Sequence, residues 1–87
     1  MKIKEGFVLK DMAGQYVAVP FGDKAVDFNG IVTLNETAKF LWEKCEKEIE
    51  KSELVNALIE TYEITIDIAE NAVNSFETQM KEAGCLE

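Results

Sequence analysis

The sequence predicts an α+β domain in which a small three-stranded antiparallel β-sheet comes first and three α-helices follow. Two observations carry this reading. Runs of β-branched and aromatic residues bounded by turn residues are confined to the first third of the chain, whereas the later segments space their apolar residues three and four apart. Strands and helices therefore do not alternate, so there is no βαβ signal, and no internal repeat or low-complexity stretch divides the chain. At 87 residues, 47% of them hydrophobic, residues 1–87 read as a single domain with one core.

The strand segments come in order. Phe7-Val8-Leu9-Lys10 and Tyr16-Val17-Ala18-Val19-Pro20 are separated by Asp11-Met12-Ala13-Gly14-Gln15, which has the length and chemistry of a hairpin loop, so the two should pair antiparallel. Pro20 lacks a ladder donor and ends the second run, and Phe21-Gly22-Asp23-Lys24 supplies the next turn. A third strand follows over Phe28–Leu34, where β-formers surround Gly30, an interior glycine that suggests a bulge or a close approach by another backbone.

Asn35 then stands immediately before Glu36-Thr37-Ala38, where its side-chain oxygen can accept an orphan amide of a first helical turn. In this first helix Ala38, Leu41, Trp42 and Cys45 fall at 0, +3, +4 and +7, one stripe for burial. The second helix carries Leu54, Leu58 and Ile59 and ends near Tyr62, with either Glu50 or Ser52 as its cap. The third runs between a Thr65 cap and Gly84, a glycine at a position that favours a left-handed backbone, with Ala69, Ala72, Val73, Phe76 and Met80 as its stripe.

Composition excludes several functions. Seventeen acidic residues stand against nine basic ones, all lysine, for a net charge of −8. Binding nucleic acid by counterion release, or an anionic membrane surface, calls for the opposite balance. A three-stranded sheet beside three helices is also the content of a winged-helix DNA-binding regulator, the alternative reading, but the third helix sets only Lys81 against Asp67, Glu70, Glu77 and Glu82. With no histidine, no nucleophile elbow and no Gly-rich phosphate loop, the chain lacks the usual machinery of an enzyme, and no cofactor or metal is expected. Cys45 and Cys85 lie far apart without a CxxC partner and read as reduced, small apolar residues, Cys85 partly exposed near the C-terminus. The charged N-terminus and the lack of a long apolar run predict a cytoplasmic protein.

One segment invites a binding role. From Phe28 to Thr33 the third strand holds no charge, whereas the first is flanked by Lys4, Glu5, Lys10 and Asp11, the kind of charge that blunts a sheet edge. If the third strand is an edge, it is a template for strand addition by a peptide, with the third helix as a side wall. If it is central or covered, its apolarity is simply core.

The segment Asp27-Phe28-Asn29-Gly30-Ile31-Val32-Thr33-Leu34-Asn35-Glu36-Thr37, followed by Phe40-Leu41-Trp42, resembles the coenzyme PQQ synthesis protein D (PqqD) family. The likeness extends through Leu54, Ala57, Leu58 and Tyr62 to Ala69, Val73, Phe76 and Gly84-Cys85-Leu86, and back to the hairpin. It implies a winged-helix-like domain without catalytic activity that binds the leader segment of a ribosomally made precursor peptide as an added strand. That leader is presented to a separate modifying enzyme, often a radical S-adenosylmethionine protein. Carried onto this chain, the resemblance implies peptide-binding positions at Asn29, Ile31, Val32 and Thr33 on the strand and Val73, Phe76, Glu77 and Met80 on the helix. The chain departs from the family pattern at Ala38, where glycine is frequent, at Ala72, where an acidic residue is common, and at Glu46–Glu50, which lacks the usual glycine between helices.

Overall fold

The computed structural model describes residues 1–22 and 32–87. Over these residues the order is β1 (Phe7–Met12), β2 (Gln15–Pro20), β3 (Val32–Leu34), α1 (Glu36–Lys44), α2 (Lys51–Tyr62) and α3 (Ile66–Ala83). The three strands form one antiparallel sheet in the order β1-β2-β3, so the fold is the expected α+β arrangement of a sheet followed by helices.

The β1–β2 hairpin is tighter than its sequence suggested. Both strands extend into the expected five-residue loop until Met12 pairs with Gln15, leaving only Ala13 and Gly14 to turn the chain. Both have positive φ, 55° and 84°, the handedness that matches a two-residue loop to the twist of the strands. Asp11 Oδ1 accepts the Gly14 N–H at 3.2 Å and holds the turn. Register places Ala18 opposite both Leu9 and Val32, and Tyr16 opposite Leu34. Ala18, Val32 and Leu34 face the helices as part of the core, while Val17, paired with Thr33, is buried on the other face outside that cluster. The expected β3 residues 28–31 lie outside the described residues.

Each helix begins and ends for a local reason. Asn35 Oδ1 accepts the Ala38 N–H at 2.7 Å, and because Leu34 is the last residue of β3, strand passes to helix through a single capping residue. The stripe Ala38, Leu41, Trp42 and Cys45 is buried throughout. Helix α2 starts after Glu50, which makes no side-chain capping bond, and stops at Glu63 in the left-handed region. Its buried face is Leu54, Val55 and Leu58, with Ile59 half-buried. In α3 the Thr65 hydroxyl accepts the Ile68 N–H at 3.4 Å, Gly84 closes the helix at φ 77°, and Ala69, Val73, Phe76 and Met80 face inward. Among the described residues no helix is long and apolar enough to cross a membrane.

The N-terminal segment ties the ends of the helical layer together. Ile3 and Lys4 donate their N–H groups to the carbonyls of Cys45 and Cys85 at 2.9 and 2.8 Å, and Ile3 bridges Leu86. Cys85, expected to be partly exposed, is fully buried because this bridge draws the C-terminal residues onto the core; both cysteines are free thiols. Burial pushes Cys45 up to about 11, opposed by the nearby N-terminal ammonium and assisted by Glu48, and burial raises Cys85 as well.

Two outcomes test this packing. Asn35→Ala should lower stability by about 1 kcal/mol, read from the urea midpoint, because the cap is lost without replacement. Both thiols should resist an aromatic disulfide reagent at pH 8 in the native protein and react at once in denaturant. Since the folded thiols titrate above their unfolded values, the associated stability is complete below the unfolded pKa and is lost as pH rises toward about 11, which an alkaline denaturation series would register.

Candidate peptide-binding edge

Two strands of the described sheet have an open side, β1 and β3. The side of β1 is bordered by charge. A depression of about 530 Å³ beside it is lined by Lys2, Lys4, Glu5, Glu43 and Glu46 around Trp42, and Lys10 and Asp11 stand exposed along the strand. Such charges oppose strand pairing. Of the described β3 residues only Thr33 has an exposed side chain, and it is uncharged.

In an antiparallel ladder, successive residues alternate between bonding the partner strand and pointing away from it. The Thr33 carbonyl accepts a hydrogen bond from the Gln79 side-chain amide of α3 at 3.0 Å. Thr33 therefore directs its backbone away from β2 and toward α3, which leaves Val32 and Leu34 to carry the bonding to Ala18 and Tyr16. Its side chain is exposed, while those of Val32 and Leu34 are buried.

Next to this edge lies a groove of about 260 Å³ between the start of α1 and one flank of α3. Its floor is apolar, formed by Leu41 and Phe76; Thr37 stands on one side, Ala72 and Ser75 on the other, and Gln79 lines it where α3 meets β3. Ala72, Ser75 and Gln79 are spaced three and four residues apart, so they form one continuous stripe of α3. The short side chains at 72 and 75 keep the groove open. At 72 the family's frequent carboxylate is absent, so this wall carries no charge.

The residues implied by sequence divide among three environments. Asn29 and Ile31 lie outside the described residues. Val32 turns into the core and Thr33 outward. Val73 and Met80 are fully buried, and Phe76 is buried but reaches the groove as its floor. Glu77 sits on the opposite flank of α3, where Lys51 of α2 donates to it at 3.0 Å and Lys81 stands at 3.7 Å. The Lys51 hydrogen bond, with the charges of Lys51 and Lys81, holds the Glu77 carboxyl below the usual range. The structure thus sets Phe76 in the groove, joins Thr33 to its rim through Gln79, and sends Glu77 to the other flank. Ser75 and Gln79 went unrecognised in the sequence; the available signal was their position one flank away from the Val73, Phe76 and Met80 stripe. Among the described residues no group of three histidine, cysteine, aspartate or glutamate side chains is placed to hold a metal ion.

The family model for coenzyme PQQ synthesis protein D (PqqD) matches residues 8–86. No curated protein and no solved structure matches the chain. Members of the family are non-catalytic accessory proteins that bind a precursor peptide and work with a partner enzyme in PQQ biosynthesis. The match takes in the hairpin, the exposed β3 edge and the groove-forming flank of α3, and the chain belongs to the PqqD family.

Proposed function

We propose that this protein is a cytoplasmic peptide chaperone: it captures the leader segment of a ribosomally synthesised precursor as a strand added to β3 and presents it to a modifying enzyme of the radical S-adenosylmethionine kind. It performs no chemistry itself and holds no cofactor. The observation that supports this most directly is the outward backbone of Thr33 beside an apolar-floored groove.

Backbone bonding is blind to sequence, so selectivity must come from side chains. A leader strand running along β3 would drop one apolar side chain onto Leu41 and Phe76, between Thr37 and Ser75. In this reading Val32, Val73 and Met80 serve the site from beneath, by fixing the positions of β3 and α3, and Glu77 braces α3 against α2. Ordering about six leader residues costs roughly 6–12 kcal/mol of backbone entropy, so contacts of this extent suit a micromolar dissociation constant, about −8 kcal/mol. The net charge of −8 favours a leader or enzyme surface that carries lysine or arginine.

The test is a titration of isotopically labelled protein with the synthetic leader of the precursor encoded nearest its gene. Saturable shifts should concentrate on residues 32–34 and 68–80; shifts confined to β1, or none, would overturn the assignment. Ser75→Trp, which fills the groove from an exposed position, should weaken leader binding at least about tenfold while the melting temperature holds. Glu77→Gln removes a partly exposed ion pair, so it should cost under about 1 kcal/mol of stability and leave leader affinity within about twofold. A comparable loss of affinity in Glu77→Gln would move the contact surface to the other flank of α3.

A further inference from the structure

We propose that Gln79 is a latch on the β3 edge, which an incoming strand must displace before it can pair. The inference rests on the reading of β3 as the peptide-docking edge. Its basis is one hydrogen bond: Gln79 Nε2 donates to the Thr33 carbonyl at 3.0 Å, joining α3 to β3 across 46 positions of sequence.

An added strand runs about 4.8 Å from its neighbour and must donate an N–H to the outward carbonyl of the edge residue. At Thr33 that position is taken by the Gln79 carboxamide, whose side chain crosses the same space from the helix. The amide satisfies the acceptor in the free protein and, by occupying it, removes the outward acceptor that Thr33 offers on the described edge. This has two consequences. A second copy of the chain meets a capped strand, which opposes edge-to-edge association of two β3 strands. A leader must wait for, or force, the release of the latch, so its apparent affinity is reduced by the fraction of time the edge is open.

The size of the effect follows from the bond. A solvent-accessible neutral hydrogen bond has a net worth that corresponds to about a two- to tenfold change in an equilibrium constant. Removing the latch should therefore tighten leader binding by about two- to tenfold. The gain should appear in the association rate, because the latch belongs to the free state alone. Gln79 also lines the groove, and its departure enlarges the opening toward Leu41 and Phe76.

The experiment measures association and dissociation rates of the same synthetic leader with the wild type, Gln79→Ala and Gln79→Asn, alongside the Gln79 side-chain amide resonances and the Thr33 carbonyl shift. Asn keeps the amide but is one carbon shorter and should behave like Ala. In the free wild type the Gln79 amide protons should exchange slowly with water, and saturation with leader should release them and shift the Thr33 carbonyl. Faster association for both variants, with unchanged melting temperatures, supports the latch, as does binding by the variants alone when the wild type does not bind. Leader binding at residues 32–34 that is equal or weaker in Gln79→Ala overturns the latch and leaves the docking site standing, with Gln79 as an ordinary wall residue or a contact. Binding of wild type and variants away from residues 32–34, or by none of them, overturns the docking edge and the latch together.

Discussion

The geometry of the β3–α3 edge depends on the burial of one stripe of α3. Ala69, Val73, Phe76 and Met80 are all within 2% of complete burial. Once these four face the core, the rotation of α3 about its axis has no freedom left, and each flank is assigned. One flank, with Glu77 and Lys81, meets Lys51 at the start of α2. The other, with Ala72, Ser75 and Gln79, is held against the β3–α1 junction. Deleting a buried side chain of this kind costs about 2–5 kcal/mol, several times what any hydrogen bond at the groove contributes, so packing positions the groove and not the reverse.

The second constraint is the abruptness of the β3–α1 connection. With Asn35 the sole residue between Leu34 and Glu36, the edge strand and the first turn of α1 cannot move independently. The Asn35 side chain, at 2.7 Å from the Ala38 N–H, ties the turn to that junction, and Ala38 and Leu41 carry it into the core. The β3–α1 junction, α1 and α3 therefore surround the groove, each fixed by a different local cause: ladder register, helix cap and buried stripe. A groove framed this way is largely preorganised, which lowers the entropy cost of filling it.

Much of this was legible before the structure. Runs of β-formers, then three capped apolar stripes, state the order of elements, and Asn35, Thr65 and Gly84 perform the capping roles their residue types suggest. The hairpin was legible in kind but not in length, because the positive φ that Ala13 adopts is not one its side chain advertises. The wall of the groove was the least legible part. Periodicity finds the stripe that is buried, and at about 100° per residue Glu77 and Gln79 lie on opposite sides of Phe76. Which of the two faces the strand depends on which neighbour packs on which flank, a long-range fact that no local pattern records. The likeness to the family pointed to β3 and α3, which the Gln79–Thr33 bond joins, without distinguishing a residue that faces the core from one that lines the groove.

The two open sides of the sheet show how one small domain manages an exposed ladder in different ways. Beside β1 lie Lys4, Glu5, Lys10 and Asp11, charges that would have to be desolvated before another strand could pair there. Beside β3 the described edge carries no charge, and its outward carbonyl is satisfied by a solvent-exposed side-chain amide. A permanent charge opposes every strand, whereas a neutral, solvent-accessible hydrogen bond opposes a strand only weakly and reversibly. An edge that accepts a partner's backbone needs the second kind of protection, and an edge that accepts none needs the first. The contrast between the two edges, more than the apolar character of either, is what supports the proposal of β3 as the peptide side.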